Sequence, residues 1–125
     1  MDMRTPLGRV RGLGSAREGT GHFWHQRLTA VANVFLITFF VILVLSLSGG
    51  TYAEVRDAFA NPLVALVMAL VVLSATIHMR LGMQTIIEDY IHSALRIPLQ
   101  IANTFFAVAI AGASLFAIAR MSFGA

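Results

Sequence analysis

The sequence predicts an all-α membrane protein that crosses the bilayer with three transmembrane helices. Hydrophobic residues make up 58% of the 125 residues and charged residues only 12%, and the mean hydropathy is +0.79. A soluble domain of this size carries about twice that charged fraction. The apolar residues are concentrated in three segments, each long enough to cross a hydrocarbon core about 30 Å thick. We therefore predict three spans in one domain, at about residues 28–47, 62–90 and 97–119.

Turn residues and prolines mark the ends of these spans. The run SGGT at residues 48–51 ends the first span, Asn61 and Pro62 begin the second, and Pro98 lies in the first turn of the third. Proline is tolerated in a first turn because its missing N–H would have no partner within the helix. The linker TYAEVRDAFA at residues 51–60 is partly amphipathic and is compatible with either a surface helix or an irregular loop.

The distribution of arginine predicts the orientation, since the chain has no lysine. With three spans, the N-terminal segment, residues 1–27, lies on the same side as the loop between the second and third spans, and residues 28–125 form the anchor domain. That side carries most of the arginines, with Arg80 near it, whereas the other side carries Arg56 and Arg120. The bias predicts a cytoplasmic N-terminus and a periplasmic C-terminus. The arginines on the cytoplasmic side are Arg4, Arg9, Arg11, Arg17, Arg27 and Arg96.

The N-terminal segment favours the inner membrane of a bacterium over that of a mitochondrion. It has no apolar run of the kind found in secretory signals, and Asp2 and Glu18 are unusual in a mitochondrial presequence. The pI near 10.6 indicates contact with anionic lipid headgroups and no nucleic acid, because no aromatic residues interleave with a basic patch. The absence of cysteine excludes disulfides, iron–sulfur clusters and zinc–thiolate sites in this chain.

A polar stripe runs along the second predicted helix. At ~100° per residue, the steps from His78 to Asp89 come to about three turns, so the two side chains share one face. Ser74, Gly82 and Thr85 lie within about 40° of the same line, while leucine, methionine and isoleucine occupy much of the remaining surface. This polar face within an apolar span is the candidate functional site.

His78 lies at membrane depth, roughly 16 Å along the helix from Asp89 at the inner interface. An ionisable side chain at that depth is costly and usually faces a bundle interior, a cofactor or an ion path. Two interpretations are open: a metal-ligating histidine, and a neutral histidine hydrogen-bonded to a neighbouring helix. Gly82, one turn later on the same face, leaves room either for a flat macrocycle or for close helix packing.

A haem at His78 would require a second chain. The other histidines are His22 and His25 before the first span and His92 beyond the inner end of the second, and we expect that none of them reaches the iron. Methionine is absent from the first and third spans until Met121 at the far edge. A six-coordinate haem would therefore take its second axial ligand from a partner subunit.

The spacing of these residues resembles that of a known family. His78 is followed after three residues by Gly82 and after six more by Asp89 and Tyr90. This pattern resembles the second transmembrane helix of the small hydrophobic membrane-anchor subunit of succinate dehydrogenase, or respiratory complex II. The upstream segment GSAREGTGHFWHQRLTAVANV, residues 14–34, resembles the start of that subunit's first span. The chain length, the three spans and the predicted orientation match as well.

The resemblance implies roles for four residues. His78 would be an axial ligand to the iron of haem b, with the second ligand supplied by the larger cytochrome b subunit, and Arg27 would lie near the haem propionates. Tyr90 would donate a hydrogen bond to a ubiquinone carbonyl, with Asp89 beside it. The implied complex also contains an iron–sulfur subunit and a flavoprotein subunit. The chain itself would be the non-catalytic anchor of succinate dehydrogenase, with no activity alone.

Simpler interpretations exist for the same residues. Tyr90 would then be an interfacial aromatic anchor, Asp89 part of a solvated helix end beside Glu88, and Arg27 a topology charge. The alternative functions are the anchor of a fumarate reductase, which works in the opposite direction, and a non-redox membrane bundle such as a transporter subunit or an assembly factor. A b-type haem spectrum in the purified complex would exclude the non-redox group.

Overall fold

The computed structural model describes residues 5–12 and 19–124, and this part of the chain contains helices and no strand. Three of the helices are long and apolar enough to cross a membrane. The predicted class, an all-α membrane protein with three transmembrane helices, is therefore confirmed. In chain order the helices are α1 (Pro6–Val10), α2 (Gly19–Ser46), α3 (Tyr52–Ala60), α4 (Pro62–Tyr90) and α5 (Arg96–Ser122).

Helix α4 is the centre of the bundle. It packs against α2 on one side and against α5 on the other, and α2 and α5 make no contact with each other. The short helix α3 packs against both α4 and α5. The hydrophobic core lies at the α3 end of the bundle, and its buried residues are Phe59, Ala65, Met68, Val71 and Ile118.

Helix α2 contains no buried residue, although its apolar window is the most hydrophobic of the three. Large side chains such as Val34 and Phe35 are 65% and 72% exposed. Apolar surface of this extent is stable in lipid or against another subunit, but not in water. The surface of α2 that faces away from α4 is therefore available to the bilayer or to a partner chain.

The helix bounds agree with the predicted spans at some ends and differ at others. Helix α4 covers Pro62–Tyr90 as predicted, with the Oδ1 atom of Asn61 accepting a hydrogen bond from the N–H of Leu63 at 2.9 Å. Helix α5 extends the predicted span by one residue at its start and three at its end. Helix α2 begins at Gly19, nine residues before the predicted span, because the helix continues through polar residues beyond its apolar part.

The linker between the first two spans is helical. Thr51 and Glu54 form a capping box at the start of α3: the Thr51 hydroxyl accepts from the Glu54 N–H, and the Glu54 carboxylate accepts from the Thr51 N–H. These two reciprocal bonds satisfy N–H groups that a helix start otherwise leaves unpaired. Of the two structures that the sequence allowed for this linker, it therefore adopts the surface helix.

Candidate functional site

His78 lies on the wall of a cavity between α2 and α4. The cavity has a volume of about 360 Å³, and its wall includes His22, Gln26 and Arg27 from α2 together with His78 and Thr85 from α4. We call this cavity the His78 pocket. Two of the residues predicted for the site, Arg27 and His78, therefore line the same cavity although they come from different helices.

Helix α2 contributes a polar face that complements the stripe on α4. His22, Gln26, Thr29 and Asn33 are spaced by four, three and four residues, which places them on one side of a helix. All four are partly buried. The two polar faces pack together, and the carbonyl oxygen of Thr29 lies 3.5 Å from the hydroxyl of Ser74.

The Thr29 hydroxyl fixes the imidazole of His78. Its oxygen lies 3.1 Å from Nδ1 of His78 and 2.7 Å from the carbonyl oxygen of His25. A hydroxyl has one hydrogen, and here it is donated within α2, so the oxygen is left to accept a hydrogen bond from Nδ1–H. With the proton on Nδ1, the neutral form of this imidazole has the lone pair of Nε2 available to a ligand.

Two further polar atoms in the pocket wall have no hydrogen-bond partner within the part of the chain that the structure describes. They are Nε2 of His22 and Oε1 of Gln26, and both are buried. A buried polar group without a partner is destabilising by roughly 1–3 kcal/mol, so such atoms usually meet a bound molecule or water. The same is true of Oδ1 of Asn33, further along the polar face of α2.

Arg27 lines the pocket and is exposed. Its guanidinium carbon is 4.0 Å from the centre of the Phe23 ring, which holds the side chain by a cation–π contact. In residues 5–12 and 19–124 no carboxylate forms an ion pair with it. The planar donor groups of the guanidinium are thus free to bind an anion.

Gly82 faces α2 as well as the pocket region. A Cβ atom added to Gly82 would lie 3.6 Å from Nε2 of Gln26, which is an ordinary van der Waals contact. These surroundings are compatible with both predicted uses of this glycine, which are room for a ligand and close helix packing. The structure shows the close packing of α2 against α4.

Asp89 and Tyr90 are at the opposite end of the stripe, outside the His78 pocket. Both are exposed, Tyr90 by 78%. The neighbouring Glu88 is engaged: it accepts a hydrogen bond from Gln84 at 2.9 Å and lies 3.8 Å from the Arg96 guanidinium. Asp89 has no such contact among the residues described. Of the two adjacent carboxylates, that of Glu88 is therefore engaged by Gln84 and Arg96, whereas that of Asp89 is not.

The other side of α4 is tied to α5 by polar contacts. Arg80 donates from Nε to the hydroxyl of Thr104 at 3.3 Å, and Asn103 donates to the carbonyl of Arg80 at 3.0 Å. One turn nearer the inner end, Gln100 donates to the carbonyl of Gln84 at 3.2 Å. These contacts fix the register of α4 against α5, and they are separate from the His78 pocket.

Helix α2 begins at Gly19, before the predicted start of the first span at residue 28, and brings His22 to the wall of the His78 pocket. That no other histidine of this chain reaches a haem iron stays a prediction. His25 does not line the pocket; its Nδ1 lies 2.8 Å from the carbonyl of Gly21. The helical spacing of His22, Gln26 and Thr29 is the signal in the sequence from which this polar face of α2 could have been predicted.

Comparisons with known proteins agree with the resemblance. Residues 1–119 match the family model described as "Succinate dehydrogenase/Fumarate reductase transmembrane subunit". The chain is 36% identical over 121 residues to the succinate dehydrogenase hydrophobic membrane anchor subunit of Paracoccus denitrificans, covering 97% of this chain and 94% of that protein. It is 29% identical over 108 residues to the subunit of the same name from Rickettsia bellii (strain RML369-C), covering 86% of each. No solved structure matches the chain.

Proposed function

The chain belongs to the family of succinate dehydrogenase and fumarate reductase transmembrane subunits, and from this premise we propose that it anchors a succinate:ubiquinone oxidoreductase in the bacterial inner membrane. In this proposal it shares a haem b with a cytochrome b subunit and contributes to the site of ubiquinone reduction. The observation that carries the proposal is the contact between Thr29 and His78 in a pocket that Arg27 also lines.

The residues of the His78 pocket fit a haem. The contact with Thr29 leaves Nε2 of His78 as the free ligand atom, and metal-bound histidines commonly donate their other N–H to an oxygen in this way. His22 is seven residues, or ~10 Å along α2, from Thr29, the residue that contacts His78. In this proposal the cytochrome b subunit would therefore supply the second ligand. When bound, the haem supplies a one-electron redox centre.

The polar end of the pocket fits the carboxylates of a haem. Arg27 offers a guanidinium without an ion pair in the described residues, and such a group binds carboxylates through paired hydrogen bonds. His22 lines the same pocket with a buried, unpartnered Nε2. With its proton that nitrogen donates to a carboxylate, so Arg27 and His22 would hold the propionates. The unpartnered atom of Gln26 is Oε1, an acceptor, which would take a donor such as water.

Ubiquinone reduction is assigned to the Asp89 and Tyr90 end of α4. The reaction adds two electrons and two protons, and in this proposal the electrons come from the iron–sulfur subunit, which receives them from the flavoprotein. The Tyr90 hydroxyl would donate a hydrogen bond to a quinone oxygen as it gains negative charge. The exposed carboxylate of Asp89 would take protons from water and pass them on.

Replacing His78 in the purified complex tests the proposal. We expect His78→Ala to remove most of the reduced-minus-oxidised b-type signal, because the variant lacks the axial ligand atom. His25→Ala is the matched control, since this histidine lies on α2 outside the pocket wall, and it should keep the full signal. An unchanged spectrum in His78→Ala would show that the ligand lies elsewhere.

A further inference from the structure

A second cavity, of about 330 Å³, lies at the end of the bundle that carries α3. Its wall includes Arg56 from α3 together with Phe116, Arg120 and Met121 from α5; we call it the α3–α5 pocket. We propose that it binds the phosphate of an anionic phospholipid between the two arginines, with an acyl chain lying along α5. This site is separate from the His78 pocket and does not depend on the proposed redox function.

The charges of the α3–α5 pocket indicate an anionic occupant. Arg56 and Arg120 are the arginines at this end of the bundle, and although they are far apart in sequence they line the same cavity. Within the described ranges neither forms an ion pair or a side-chain hydrogen bond. Because arginine stays protonated at any relevant pH, two guanidiniums that line one cavity make its electrostatic potential positive. A phosphodiester can accept hydrogen bonds from both.

The nearby acidic residues do not supply that anion. The Glu54 carboxylate is bonded to the backbone and hydroxyl of Thr51 in the capping box. Asp57 follows Arg56 directly in α3 and is not part of the cavity wall; neighbouring residues on a helix point about 100° apart. The pocket therefore contains positive charge without a carboxylate on its wall.

The apolar part of the wall indicates that the occupant is a lipid. Phe116 is 67% exposed, and it continues the apolar surface of α5 away from the pocket. Helix α3 is a short amphipathic element at the end of the transmembrane bundle, where the buried Phe59 anchors it. This end of the bundle is at the depth of the lipid headgroups. A phosphate with an attached acyl chain satisfies both halves of the wall, whereas inorganic phosphate satisfies only the arginines.

Thermal unfolding in mild detergent tests this site. The tagged chain is purified with the subunits that accompany it, stripped of lipid, and titrated with phosphatidylglycerol, phosphatidylcholine or inorganic phosphate. A ligand that binds only the folded state raises Tm. We expect phosphatidylglycerol to raise Tm, and its half-maximal concentration to increase about fivefold in Arg56→Gln or Arg120→Gln and about 25-fold in the double variant. Arg11→Gln, in the N-terminal segment and outside the cavity wall, is the control and should match the unmodified protein.

Several outcomes would overturn the proposal. Equal stabilisation by phosphatidylcholine would remove the need for the anion, and an effect of inorganic phosphate as large as that of phosphatidylglycerol would make free phosphate the ligand. No lipid effect at all would contradict a lipid site in this pocket. An equal loss in Arg11→Gln would indicate only general charge. If the double glutamine variant does not assemble, the double lysine variant, which keeps both charges, replaces it. It should bind phosphatidylglycerol more weakly than the unmodified protein does. Its affinity for phosphatidylglycerol should still exceed its affinities for inorganic phosphate and phosphatidylcholine.

Discussion

Thr29 determines which nitrogen of His78 is free. Its hydroxyl hydrogen is directed to backbone carbonyls of α2, and its oxygen accepts from the imidazole. A histidine at membrane depth without such a contact would be free to rotate or to change tautomer. In the haem proposal, the threonine therefore orients a half-buried imidazole as a ligand.

Thr29→Val should therefore weaken haem binding without removing the ligand. Valine has nearly the same shape but lacks the acceptor, and loss of an orienting partner typically lowers metal affinity by about 10- to 100-fold. We expect a lower haem content per complex and a shifted midpoint potential. Thr38→Val is the matched control, because the Thr38 hydroxyl bonds only to the Val34 carbonyl of its own helix. Equal haem content and potential in both variants would contradict this role.

Tyr90→Phe should separate quinone chemistry from haem binding. It removes a hydroxyl that is ~18 Å along α4 from His78 and is not part of the His78 pocket, so the haem spectrum should be retained. Loss of a hydrogen bond to a developing oxyanion lowers turnover by about 10² to 10³. Succinate-to-quinone activity should fall by that factor, while electron transfer to a dye that accepts at the peripheral subunits stays near normal. Intact quinone activity would leave Tyr90 as an interfacial anchor.

The sequence predicted part of this site and missed the rest for a physical reason. The stripe on α4 follows from helix periodicity alone, so His78 and Asp89 could be placed on one face. The neighbours from α2 could not, because the contact of Thr29 with His78 depends on how far α2 is rotated about its axis and displaced along α4. The polar residues before residue 28 were also assigned to a segment outside the membrane, so His22 and Gln26 were not predicted as part of the site.

At the scale of elements, α4 and α2 show what local signals can predict. Asn61 and Pro62 gave the start of α4 because a capping side chain and a proline in the first turn act locally. Hydropathy predicted the apolar part of α2 but not its start, because hydropathy reports which residues prefer lipid and not where the backbone ceases to be helical. Hydropathy likewise did not distinguish a helix from a loop in the linker that forms α3, whereas the capping box in the structure shows the helix start.

The capping box of α3 predicts a dependence on pH. Hydrogen bonds from the backbone and the hydroxyl of Thr51 lower the pKa of Glu54 below its ordinary value of 4.5. The charged carboxylate is thus favoured in the folded helix, and its contribution to α3 is present above pH 4.5 and is lost as pH falls through the lowered pKa. Hydrogen exchange protection of α3, corrected for the intrinsic rates, should decrease over that window.

Glu54→Gln should remove the pH dependence. A neutral side chain at this position accepts the Thr51 N–H more weakly, so α3 should exchange several-fold faster at pH 7 than in the unmodified protein and change little on acidification. Asp57→Asn is the control, because this carboxylate is on the same helix and outside the capping box. Protection that falls equally with pH in Glu54→Gln would assign the titration to another group.

At the scale of the whole molecule, the bundle is asymmetric. Helix α4 is covered on two sides, and the remaining surface of α2, with no buried residue, is open. The His78 pocket lies between α2 and α4. A partner subunit packed there would cover the exposed apolar side chains and bring its own haem ligand opposite His78, so one interface would complete both the fold and the cofactor site that we propose.

The absence of cysteine makes the orientation of this bundle directly measurable. Single cysteines can be introduced without background at Ser48, in the turn before α3, and at Ser93, in the loop between α4 and α5; both positions are exposed. The arginine bias predicts that the Ser93 loop lies in the cytoplasm and the α3 end in the periplasm. A membrane-impermeant maleimide should therefore label Ser48→Cys in intact cells, and Ser93→Cys only after permeabilisation and denaturation.

A reporter fused after Ala125 gives the third measurement of orientation, because the last turns of α5 line a cavity together with α3. A periplasmic reporter such as alkaline phosphatase should be active there and inactive when it is inserted at residues 92–96. The three-span arrangement requires the two ends of the chain to lie on opposite sides of the membrane. An active cytoplasmic reporter after Ala125, combined with a cytoplasmic N-terminus, would contradict three spans; reversal of all three labels would keep the fold and contradict only the arginine argument.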